Sequence, residues 1–138
     1  MKLELNLESF DKGLEVLSKE YRIFAPKAFP QRGTYSDTDV VKYSVVSSFD
    51  EMVWDRKSNF SPKETFLPIN EVLFYFTESE FRESSIDDRK TLVFLRACDL
   101  NAVKRVDQIY LGNGEEEDYY YKRNREKVKF VLVGCQES

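Results

Sequence analysis

Thr91-Leu92-Val93-Phe94-Leu95-Arg96-Ala97-Cys98-Asp99 is the stretch that decides the fold. From Thr91 to Leu95 it is apolar or β-branched without alternation, as expected of a strand covered on both faces, and it runs into a cysteine. Lys129-Phe130-Val131-Leu132-Val133-Gly134-Cys135 has the same form, and Cys98 and Cys135 are the chain's 2 cysteines. Between them Leu100, Val103, Val106 and Tyr110 recur at helical spacing. The unit reads as strand, crossover helix, parallel strand, and crossover handedness puts the strands side by side or one strand apart. Both thiols then stand at the carboxyl edge of one sheet, the edge at which open α/β sheets bind ligands.

Outward from this unit the chain is less regular. Phe10, Leu14, Leu17 and Tyr21 form one stripe of an amphipathic helix over about residues 7–20. Arg22-Ile23-Phe24-Ala25 reads as a short strand halted by Pro26, and residues 40–46 as an antiparallel strand with Val41, Tyr43 and Val45 on one face. Ser48-Phe49-Asp50-Glu51 and Ser61-Pro62-Lys63-Glu64 have the form of capping boxes, the second opening a short helix that Pro68 ends. Val72-Leu73-Phe74-Tyr75-Phe76 reads as a buried strand, and residues 78–90 as a surface connection. Asp99 is placed to cap the crossover helix, which Gly112-Asn113-Gly114 terminates, and Asp118 to cap a short aromatic and basic helix reaching Arg125. The predicted fold class is therefore α/β: a mixed sheet with a C-terminal parallel βαβ unit and an irregular N-terminal half.

Composition narrows the partners. The 138 residues are enough for one domain, and the formal net charge of -4 weakens attraction to a phosphate backbone, so nucleic acid is not an expected partner. The basic block from Lys122 to Lys127 follows the acidic block Glu115-Glu116-Glu117-Asp118, and the two read as solvated helix-end charges that cancel. No apolar run approaches the roughly 18 residues of a membrane span, and the first residues lack a cleavable leader pattern. The expectation is a cytoplasmic chain without a membrane span. Histidine is absent, which excludes Ser-His-Asp and Cys-His chemistry and His-containing zinc sites within these residues.

Cys98 precedes a helix N-terminus with Arg96 nearby, so it is expected to be the more acidic thiol. Gly134 permits close approach of a bulky group beside Cys135. Three readings of the pair stand at this point. The cysteines are small buried hydrophobes at strand ends, or they form a disulfide, which a cytoplasmic setting disfavours, or they are ligands of an iron–sulfur cluster completed by further cysteines. Arg96 and Asp99, which flank Cys98, either tune such a cofactor or serve as a salt-bridge partner and helix cap. The triplet Tyr119-Tyr120-Tyr121 with Arg123 and Arg125 reads as a docking surface or as a helix packed on the sheet.

Several stretches, in order, carry a family resemblance: Asn59-Phe60-Ser61-Pro62-Lys63-Glu64 with Leu67-Pro68, Phe94-Leu95-Arg96-Ala97-Cys98-Asp99-Leu100-Asn101-Ala102, Asp118-Tyr119-Tyr120 with the Arg123/Arg125 pair, and Val133-Gly134-Cys135. In these the chain resembles the iron–sulfur subunit of the anaerobic sulfite reductases, which is similar to the beta subunits of cytoplasmic sulfhydrogenases. The sulfhydrogenase motif reads Arg-Pro-Cys-Asp, and Ala97 stands here in the place of that proline.

The resemblance implies an iron–sulfur electron-transfer role, relaying electrons from a flavin and NADH-binding subunit to a sirohaem subunit that reduces sulfite. It implies [4Fe-4S] clusters in the full-length subunit, held by a Cys-Phe-Cys motif and ferredoxin-like cysteine sets absent from this sequence. On that reading residues 1–138 form a single N-terminal domain of a larger subunit, with no complete cluster of its own. Cys98 and Cys135 are the expected cofactor ligands, with Arg96 and Asp99 beside them. Two other functions stay open: a scaffold that docks partner subunits without a redox centre, and a thiol enzyme using Cys98 as nucleophile.

Overall fold

The computed structural model describes residues 2, 4–35, 37–85 and 88–134. Asn6 accepts a hydrogen bond from the Ser9 amide at 2.8 Å and so opens helix α1, Leu7–Ser18. Strands β1 (Tyr21–Phe29) and β2 (Val40–Val45) follow, then β3 (Phe74–Phe76), β4 (Phe81–Glu83) and β5 (Lys90–Arg96). Helices α2 (Ala97–Leu111) and α3 (Tyr119–Glu126) connect β5 to β6 (Val128–Val133). The main sheet has the order β2-β1-β5-β6, with β1 parallel to β5, β5 parallel to β6, and β2 antiparallel to β1. This is the mixed α/β sheet expected from the sequence, and the two strands of the βαβ unit lie side by side.

The unalternating apolar run of β5 is explained by cover on both faces. On one face Leu92 and Phe94 join Ile23 and Ala25 beneath Leu14 of α1. On the other, Val93 and Leu95 pack with Val128 beneath Val103 of α2, Tyr121 of α3 and Phe66. The two crossover helices are themselves pinned by a polar cluster. Tyr121 donates to Asp107 Oδ1 at 2.6 Å, and Arg125 grips the same carboxylate through Nε at 2.9 Å and Nη2 at 3.1 Å. Burial, followed by the hydrogen bond to Asp107, pushes the Tyr121 phenol above the ordinary phenol range.

Four sequence expectations are corrected. Pro26 does not halt β1, which runs on to Phe29. The Pro26 carbonyl accepts from the Val53 amide at 2.8 Å, and the ladder between β1 and β5 ends at Phe24 opposite Val93. The missing N–H therefore falls on a side without a neighbouring strand, where proline is tolerated. Val45 is exposed rather than sharing the inward face with Val41. The run ending in Phe76 is not a buried strand either. It forms a hairpin with β4, inside the segment expected to be a plain connection, and Phe74, Phe76 and Phe81 stay exposed, Phe76 at 75%. Both positions beside β5 are already taken by β1 and β6, so this apolar run has no place next to it.

The capping boxes are also weaker than they read. Ser48 makes no side-chain cap bond, and Glu51 instead accepts from the Ser47 amide at 2.9 Å. Ser61 accepts from the Lys63 amide, but only a single 3-10 turn, Pro62–Thr65, follows.

Leu95 is 0% exposed and Ile109, on the outer side of α2, is 61% exposed. Leu95→Ala is expected to cost about 2–5 kcal/mol of unfolding free energy, and Ile109→Ala less than about 0.5 kcal/mol. Urea titrations of the two variants measure the contrast.

Candidate functional site

β5 ends directly in α2, so the chain turns from strand to helix within one residue. Arg96 still pairs with Val133 of β6 while serving as the N-cap of α2, with φ -84 and ψ 162. It offers no side-chain acceptor to the first-turn amides. Its guanidinium turns instead to the segment crossing the end of the sheet, donating to the Trp54 carbonyl and, at 3.1 Å, to the Arg56 carbonyl. That segment is tied to the sheet by the Val53 and Asn59 amides, which donate to Pro26 and Val41. Arg96 thus acts as a clasp between the carboxyl end of β5 and the loop above it.

Asp99 is not the helix cap. It lies in the first turn of α2, where a carboxylate suits the helix dipole, and its Oδ2 accepts from the Tyr43 hydroxyl at 2.8 Å. The expected pairing of Arg96 with Asp99 is replaced by these two separate contacts. Tyr43 belongs to β2 and reaches across β1 to the start of α2. Its phenol is pushed well above the ordinary range, first by burial and then by the hydrogen bond and charge of Asp99, with Cys98 adding and Arg96 opposing. Tyr43 is legible in the sequence only as an inward residue of a strand. A contact spanning 56 positions leaves no local pattern.

Cys98 is a free, exposed thiol at the second position of α2. This removes, for Cys98, the reading of a small buried hydrophobe. Cys135 lies outside the described residues. Val133, two positions before it in sequence, stands opposite Arg96, two positions before Cys98. Among the described residues no group of 3 or more His, Cys, Asp or Glu is arranged to hold a metal ion. Cys98 can furnish one thiolate, so the described residues alone do not fit a [4Fe-4S] cluster, which takes four.

The tyrosine and arginine surface expected on α3 is divided. Tyr121 is buried, Tyr119 and Tyr120 are exposed, Arg125 is committed to Asp107, and Arg123 pairs with Glu71. Arg123, Arg125 and Lys127 are therefore largely covered, not solvated helix-end charges. No helix among the described residues is long and apolar enough to cross a membrane.

Over 134 residues the chain is 26% identical to the sulfhydrogenase 2 subunit beta of Pyrococcus furiosus. The match takes in 96% of this chain and 37% of that protein. The chain therefore spans little more than a third of the length of its curated relative. No family model matches it. No solved structure matches it.

Two measurements probe this edge. Iodoacetamide added to the folded chain is expected to modify Cys98 without denaturant, read by mass on its tryptic peptide. A thiol labelled only after unfolding would contradict its exposure. Tyr43→Phe is expected to cost about 1 kcal/mol at neutral pH. The folded state holds this proton more tightly than the unfolded one, so the contribution is complete below about pH 10 and fades as pH rises above it. Urea unfolding of both proteins from pH 7 upward should show their difference shrinking in the alkaline range. A pH-independent difference would count against it.

Proposed function

We propose that this chain is the α/β domain of an iron–sulfur electron-transfer subunit. Within that class we assign it to an anaerobic, NADH-dependent sulfite reductase complex of the cytoplasm. The subunit would pass electrons from a flavin and NADH-binding partner to a sirohaem partner and catalyse nothing by itself. The observation that carries the general reading is the similarity, along nearly the whole chain, to a sulfhydrogenase beta subunit. The finer assignment is supported by the Arg96-Ala97-Cys98-Asp99 motif, with alanine where the sulfhydrogenase motif has proline.

In this reading the rest of a longer subunit supplies the ferredoxin-like cysteines of [4Fe-4S] clusters. Cys98, with Cys135, contributes thiolates to one of them. The chain's own residues prepare the position. The β5–α2 junction holds Cys98 at the surface, Arg96 fixes the loop beside it, and Tyr43 anchors the first turn of α2 through Asp99.

A second reading, a docking scaffold without a redox centre, is favoured by one observation: no group of three or more His, Cys, Asp or Glu among the described residues is arranged to hold a metal ion. Iron and sulfide analysis of the complete subunit separates the two. Cys98→Ser is expected to lower the content by one cluster if Cys98 is a ligand. Unchanged content with intact assembly on the flavin partner would assign the scaffold role.

A further inference from the structure

The hairpin of β3 and β4 holds large apolar side chains in water. Side chains alternate along a strand, and Phe76 pairs with Phe81 and Phe74 with Glu83, so Phe74, Phe76 and Phe81 share one face. Their rings form one cluster, with centroids 6.0 Å apart for Phe74 and Phe76 and 5.3 Å for Phe74 and Phe81. Phe76 and Phe81 are nonetheless 75% and 66% exposed. A second wall comes from α3, where Tyr119 and Tyr120, also exposed, close a groove of about 230 Å³ with Phe74 and Phe81. A contiguous aromatic face open to water is the surface expected where another protein binds.

Charge around the groove narrows the occupant. Over residues 71–85 and 115–123, which carry the hairpin and the start of α3, 8 carboxylates stand against 3 cations, a larger negative excess than the -4 of the whole chain. Two of those cations are already paired, Lys122 with Glu117 and Arg123 with Glu71. Glu78, Glu80 and Glu83 of the hairpin, and Glu115 and Glu116 ahead of Tyr119, are exposed. Such a rim repels a second copy of itself. It therefore guards the outer edges of β3 and β4, which pair with no further strand among the described residues, against self-association. The same rim attracts a cationic surface, and the open aromatic rings add to this because their faces favour cations.

We propose that the β3–β4 hairpin and the first turn of α3 dock a basic partner protein, through an extended apolar segment flanked by lysine or arginine. The apolar residues of that segment fill the groove between Phe81 and Tyr119, its main chain extends a hairpin edge, and its flanking cations meet Glu78, Glu80 and Glu83. The surface shares no residue with the Cys98 edge and needs no cluster.

A tetramethylrhodamine-labelled peptide, Lys-Lys-Val-Phe-Val-Phe-Lys-Lys, titrated with the chain and read by fluorescence anisotropy, tests this. Saturable binding is expected, weakening as sodium chloride rises. It should be about tenfold weaker or more for the peptide with glutamate in place of each lysine, and for the one with serine in place of each valine and phenylalanine. Phe81→Ser and Tyr119→Ser, one on each wall, should each weaken binding about tenfold. The double variant Glu80→Lys with Glu83→Lys should lose the lysine peptide and gain the glutamate peptide, an exchange that mere damage to the hairpin would not produce. Ile109→Ser, on the outer side of α2, should leave binding unchanged. Absence of saturable binding up to about 1 mM, or binding indifferent to both Phe81→Ser and Tyr119→Ser, would overturn the proposal. So would a dimer in sedimentation velocity that Phe81→Ser dissolves, since a second copy would then occupy this face.

Discussion

β5 is paired on both sides, with β1 and with β6, and both hydrophobic clusters close on it. A strand paired on both sides and covered on both faces leaves little room for polar side chains, and Thr91 to Leu95 are all buried, with Thr91 the one polar side chain among them. Its neighbours are fixed in turn. β1 runs parallel to it, with α1 packed on one face, and β6 returns parallel to it through a crossover whose helices α2 and α3 pack on the other. Removing β5 would leave neither hydrophobic cluster closed.

The same strand sets the two ends of the molecule apart. At its carboxyl end the chain passes straight into α2, so Cys98 emerges at the surface with its backbone held by strand pairing on one side and a helix on the other. Arg96 and Tyr43 then lock the loop and the first helical turn around it. At its amino end, Thr91 lies among arginines gathered from β1, α3 and the segment before β5. The thiol and these arginines thus stand at opposite ends of one rigid element.

The parts legible in the sequence are those in which local pattern and tertiary demand agree. The βαβ unit is readable because a strand buried on both faces must lack alternation, and α3 because Asp118 does accept from the Tyr121 amide, at 2.7 Å. Pro26 misleads because a local rule for strand termination ignores which side of the strand the missing donor faces. The apolar run ending at Phe76 misleads because composition reports that a strand forms, not whether the sheet has room for it. Asp99 reads as a cap from its residue type, whereas strand pairing that persists to Arg96 moves the helix start upstream and leaves Asp99 for Tyr43. Cys98 stands out in the sequence through its motif. The Tyr43 contact with Asp99 does not, since it depends on residues that meet only after the sheet has closed.

The ligand role proposed for Cys98 depends on the β5–α2 junction holding its thiol at the surface. Anomalous scattering at the iron edge from crystals of the complete subunit tests it most directly. An iron peak at bonding distance from Cys98 Sγ is expected, at the carboxyl edge of the sheet beside Arg96. A map in which every iron is ligated elsewhere, with the Cys98 thiol free, would contradict it.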